Sequence, residues 1–160
     1  MKIFTDAAGV EWKIVITLGA AMDIKARFSI DLLRPEEGDP PQLTRLGTDE
    51  YLLANIIAAL LEDQFAEKNI QAKDIFKNFD ADTLAAAHRA FYEELVDFFR
   101  KTGRQDRAQA VIKQAEMIQL GVEVAVGRIN EFDMKSAVTQ AMSGTTSGES
   151  PAQSDSTRGP

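Results

Sequence analysis

The sequence predicts a mainly helical domain with an N-terminal β-hairpin (α+β), an amphipathic helical bundle followed by a disordered C-terminal tail. Three observations carry this. Between residues 10 and 16 apolar side chains alternate (Val10, Trp12, Ile14, Ile16), the period-two pattern of a strand with one buried face. After residue 48, apolar residues recur at steps of three and four through three successive stretches, which is the spacing of one helix face. From Ser143 onward the chain has no large apolar residue and is rich in Ser, Thr, Gly and Pro. Such a segment cannot bury enough surface to offset the entropy of ordering it. Residues 1–135 are therefore expected to form one domain, with the hairpin at 2–17, and residues 136–160 a flexible or disordered tail.

The hairpin reads KIFT as a first strand, DAAG as turn residues and VEWKIVIT as the return strand. Two strands are marginal alone in water, so their apolar face has to pack on helices. LGAAMDIKARF, from Leu18 to Phe28, permits a short helix with Met22, Ile24 and Phe28 as its apolar residues. In SIDLLR, Ile30, Leu32 and Leu33 are ready for burial. RPEEGDPP, residues 34–41, excludes regular helix and strand and is short enough to be a loop within one domain.

Thr48 is placed to cap a helix from Asp49 to about Lys68, with Asp49 and Glu50 in a first turn that favours negative charge. Its stripe is Leu53, Ile56, Ile57, Leu60, Leu61 and Gln64 or Phe65, and Asn69 can end it. QAKDIFKNF reads as a short helical linker with Ile75, Phe76 and Phe79 turned inward. The strongest helix spans Asp80 to Gly103: Leu84, Ala87, Phe91, Leu95 and Phe98 form its stripe. Asp80 or Asp82 can cap its amides, and Gly103 supplies the left-handed residue that ends it. A long helix follows, from about Arg104 to Phe132, with Ala108, Val111, Ile112, Ala115, Ile118, Val122, Ala125 and Ile129 as its stripe. Gly121 and Gly127 within it imply either a bend or the close approach of another backbone.

Composition excludes several classes of function. No cysteine is present, which removes disulfides, thiolate metal sites and cysteine nucleophiles together and is compatible with a cytoplasmic home. The N-terminal MKIFTDAAG lacks the apolar run of a signal peptide, and no stretch is long enough to span a membrane. The formal net charge is −7, unevenly spread: residues 49–97 hold eleven acids against four bases, and residues 100–113 hold five bases against Asp106 alone. Nucleic acid would be repelled by the acidic half. The basic cluster ordinarily marks a solvated helix junction, but Arg100, Lys101, Arg104 and Arg107 are the candidates for contact with an acidic partner surface.

No reactive constellation survives inspection. Asp80-Ala81-Asp82-Thr83 fails as a phosphatase motif and as a calcium loop, because Leu84 and Ala85 stand where the required residues should be. Capping explains it better. His88 is the only histidine and has no carboxylate three or four residues away, so a structural, partly buried role is expected. The pairs Glu93/Asp97 and Asp63/Glu67 read as solvated helix faces. No phosphate-binding glycine loop and no nucleophile elbow is present. The expectation is a protein that is not an enzyme and needs neither cofactor nor metal.

Three pieces taken together carry a resemblance. They are the Phe-x-Asp-x-x-Gly-x-x-Trp hairpin FTDAAGVEWKIVIT, the run LGTDEYLLANIIAALLEDQFAEKNI followed by IFKNFDADTLAAA, and ELVDFF before a basic stretch. Over roughly residues 2–113 the chain resembles tail assembly chaperones of tailed phages and prophage-like elements, encoded beside the tape-measure gene. The resemblance implies a protein that keeps the helical tape-measure protein soluble in the host cytoplasm while the tail assembles. Its partners would be the tape-measure protein or another tail component, with no membrane and no nucleic acid, and self-association is open. The alternative within the same gene cluster is a structural adaptor or minor virion component.

Overall fold

The computed structural model describes residues 1–131 and 134–143. Among the described residues, two strands and six α-helices follow in order: β1 (Lys2–Thr5), β2 (Glu11–Ile14), α1 (Leu18–Phe28), α2 (Gln42–Thr48), α3 (Glu50–Leu61), α4 (Ala81–Lys101), α5 (Gln105–Glu131) and α6 (Met134–Ser143). The fold is mainly helical with an N-terminal antiparallel hairpin, as the sequence pattern implies. A first compact unit covers Met1–Leu120, and a second begins at Gly121, well before the boundary expected at 135. α6 covers the first residues of the tail expected at 136–160, and the remainder, 144–160, lies outside the described residues.

The hairpin is held from inside its own turn. Phe4 pairs with Trp12 across the strands. The carboxylate of Asp6 accepts hydrogen bonds from the Ala8 and Val10 amides and from the Trp12 indole Nε1, each at 2.9 Å. Gly9 sits at φ +80°, a left-handed conformation that glycine adopts without strain. Trp12, Ile14 and Ile16 are buried and Val10 is half-buried, so the alternating face is the inner one. Edge-to-face aromatic contacts extend it, Phe4 on Phe79 and Trp12 on Phe65, with ring centroids 5.6 and 6.1 Å apart. The Phe-x-Asp-x-x-Gly-x-x-Trp spacing is thus explained by folding alone.

The outer edge of β2 is closed by a side chain. Gln64 accepts from the Lys13 amide at 3.1 Å and donates to the Lys13 carbonyl at 2.7 Å, as a neighbouring strand would. This corrects the placement of Gln64 in a helical stripe. The helix expected to run to Lys68 ends at Leu61, and a 3-10 turn at Glu62–Gln64 redirects the chain. Gln64 thereby reaches the strand and Phe65 reaches Trp12. Asn69, at φ 52°, adopts the left-handed conformation at the end of this segment.

The other differences have local causes. Residues 42–48 form α2, which buries Leu43 and Leu46 and starts directly after Pro41. The Thr48 hydroxyl donates to the Thr44 carbonyl of that helix, and the cap of α3 is Asp49, whose carboxylate accepts from the Leu52 amide. In α1 the inner positions are Ala21 and Ile24; Met22 is one residue out of step and is 64% exposed. Ala72–Asn78 is a 3-10 helix that buries Ile75, half-buries Phe79 beside it and leaves Phe76 exposed.

α4 is the centre of the first unit. Asp80 caps it by accepting from the Thr83 amide, and Gly103 at φ +76° follows its end. Ala87, Phe91 and Leu95 are buried as the stripe requires, but so are Ala90, Val96 and Phe99, while Leu84 and Phe98 are half-buried. The buried arc is wider than one stripe because the hairpin and α3 pack against α4 together. Glu93 and Asp97, read from the sequence as solvated, both hold Lys2 of β1, at 3.6 and 3.0 Å. Within α5, Ala108 and Val111 are buried and Ile112, Ala115 and Ile118 are half-buried. The side chains of Val122, Ala125 and Ile129 lie outside the described residues, as does Phe132. The helix is unbroken through Gly121 and Gly127, and nothing described lies within 4 Å of a Cβ built on Gly127.

Candidate partner-binding surface

The basic junction between α4 and α5 arises because Arg100 and Lys101 occupy the last turn of α4 and Arg104 and Arg107 flank the start of α5. Intramolecular carboxylates meet three of the four. Arg100 lies 3.9 Å from Asp97. Arg104 forks onto both oxygens of Asp106, at 3.0 and 2.6 Å, and holds that carboxyl down at about 2. Arg107 donates twice to Glu36 Oε1, at 3.0 and 2.7 Å, and fastens the 34–41 loop to α5. Lys101 is exposed and acts on Asp97 only through space. Arg100, Lys101 and Arg104 thus face water, whereas Arg107 is largely covered and serves the fold.

A second feature lies off the inward stripe expected for the long helix. At the end of the first unit Met117 and Leu120, three apart on α5, are 65% and 60% exposed. In the second unit, taken alone, Val124 and Val126 are exposed, and Val138 and Met142, four apart on α6, are exposed as well. Isolated exposed apolar residues are ordinary on protein surfaces, but pairs at helical spacing make a strip that another helix can cover.

The half-buried role expected for His88 is what the structure shows. Burial lowers its imidazole below the usual value of 6.5, opposed by Glu50, which comes from α3 and could not be found by spacing along α4. Unfolded, the imidazole titrates near 6.5 and takes up its proton before the folded form does. Stability present above that pH should therefore decline as the pH falls below about 6.5. Urea unfolding at pH 7.5, 6.5 and 5.5 reads this out, and His88→Gln, which removes the only imidazole, should flatten the profile in that window.

No group of three or more His, Cys, Asp or Glu suited to a metal ion occurs among the described residues. No helix among them is long and apolar enough to cross a membrane. Comparison with protein-family models, with curated proteins and with solved structures gave no match for this chain.

Proposed function

We propose that this chain is a non-catalytic binding protein that covers the apolar face of a helical partner, in the manner of a phage tail assembly chaperone acting on a tape-measure protein in the host cytoplasm. The supporting observation is the pair Met117 and Leu120, apolar and exposed on α5, while Ile118 between them turns inward against Gly47. A long helical partner with exposed apolar faces associates wrongly unless those faces are covered. Apolar contact would supply the affinity, and the exposed Arg100, Lys101 and Arg104 would tune association rate and salt dependence against an acidic segment. The chain's net charge of −7 would keep the complex apart from its copies.

Co-expression with the neighbouring tape-measure product tests the reading through that product's soluble fraction. The double variant Met117→Lys/Leu120→Lys should melt within about 0.5 kcal/mol of the parent, as surface substitutions do, and lose most of the solubilising effect. An unchanged soluble fraction with and without the parent protein would remove the proposal. Stoichiometric retention in purified particles would instead favour a structural adaptor or minor virion component.

A further inference from the structure

Residues 105–120 of α5 are the last element of the first unit, joined to α4 through residues 102–104. Gly103 in that joint stands at φ +76°, and nothing described lies within 4 Å of a Cβ built on it, so the joint is free to turn. The hold of this segment on the unit is slight. Ala108 and Val111 are buried, but Ile112, Ala115 and Ile118 are only half-buried. α4, by contrast, buries Phe91, Leu95 and Phe99. Over residues 105–118 one side chain hydrogen-bonds to a distant element: Arg107, on Glu36 of the 34–41 loop.

The seat of the helix also contains gaps. Near Ile118 a cavity of about 110 Å³ is lined by Leu46, Leu53, His88 and Tyr92. Near Val111 and Ile112 a groove of about 350 Å³ reaches Tyr92 and Val96 of α4. Side chains that stand apart lose their dispersion contacts. His88 Nε2 and the Tyr92 hydroxyl make no hydrogen bond to α5, so no buried polar contact from them secures it. Elements with few buried contacts are the ones that open at a free energy below that of global unfolding.

We propose that residues 105–120 form a hinged cover, which swings out at Gly103 while the rest of the first unit stays folded and bares a seat for a partner's amphipathic helix. The occupant is defined in outline because α5 itself is seated there. It is a helix with small or branched apolar residues at steps of three and four, as in Val111, Ala115 and Ile118. Gly47 sets how closely it approaches, since a Cβ there would lie 2.2 Å from Ile118 Cδ1. The seat rests on the reading of this chain as a helix-covering protein; the opening does not.

Hydrogen exchange on the full chain tests the opening with no partner and no variant. Amides of residues 108–118 should be at least tenfold less protected than those of residues 91–95. Glu36→Ala should lower their protection about threefold further, the worth of an exposed ion pair. Equal protection in the two helices would overturn the proposal. The chain has no cysteine, so Gly47→Cys/Ile118→Cys supplies the only two thiols, and its oxidised form locks the cover. Oxidation should raise protection over residues 108–118 at least tenfold, and dithiothreitol should reverse it. Each form is then mixed with the tape-measure product diluted from urea, and light scattering is followed. The reduced form should suppress scattering at least threefold better than the oxidised form. Equal suppression would overturn the seat and leave Met117 and Leu120 as the binding face. Failure of the parent protein to suppress scattering would remove the helix-covering reading and the seat with it, while the exchange result still decides the cover.

Discussion

Phe91→Ala should destabilise the domain by about 3–5 kcal/mol, the range for emptying a fully enclosed aromatic site. Phe91 is 0% exposed and sits edge-to-face with Tyr92 at 5.4 Å, on the helix that both the hairpin and α3 cover. The cavity cannot be filled by solvent, and α4 cannot collapse into it without losing the hairpin or α3. Against a typical total of about 5–15 kcal/mol, the loss brings the protein near its unfolding threshold. At roughly 2–4 °C per kcal/mol, thermal denaturation should show a fall of about 6–20 °C. Leu60 provides the contrast: it lies on the stripe of α3 but is only half-buried, so Leu60→Ala should fall at or below the low end of the usual range for leucine, about 2 kcal/mol. Equal effects at the two positions would show that the enclosure of α4 is misplaced.

The second large effect is expected at Asp6, a residue that composition would call a surface acid. Asp6→Ala removes one carboxylate from three donors at once and strands the indole N–H of Trp12 in a buried site. Hydrogen bonds to a charged group contribute about 1.5–3 kcal/mol, so a loss of about 3–5 kcal/mol follows. Trp12 is the only tryptophan, and its fluorescence follows the transition directly. Asp6→Asn should restore little, because its amide would present a donor, or a single oxygen, to three donors. In a double-mutant cycle with Trp12→Phe, the combined loss should be smaller than the sum, since the second change removes the stranded N–H. Additivity would refute the coupling.

These two positions show what a single sequence reveals. Phe91 was legible because helical periodicity is a local property: the stripe that includes Ala87 and Leu95 needs no knowledge of the partner element. The hairpin was legible for the same reason, through Trp12 and Ile14. The role of Asp6 was visible only as a spacing, since its indole partner becomes a neighbour once the turn has formed. Contacts between distant segments were not legible at all. Nothing in DPPQLTRLG announces that Gly47 meets Ile118, nor does any pattern along α4 pair His88 with Glu50. The basic cluster illustrates the opposite error. Charge density picked out four residues alike, but Arg107 is occupied by Glu36 from a loop 71 positions away. Periodicity marked the inward face of α5 and left Met117 and Leu120 off it, without showing that they form an exposed apolar pair.

The Gln64–Lys13 pair bears on whether a further strand can add to the hairpin. A two-stranded sheet has two open sides, and an open side can template the strands of another molecule. On the β2 side, Gln64 occupies both backbone groups of Lys13 with a side chain that cannot propagate a ladder. A glutamine that terminates a sheet in this way acts as a chain stopper, as a monofunctional end group does in a polymerisation. A protein proposed to cover an aggregation-prone helix gains from having that end closed before any partner arrives.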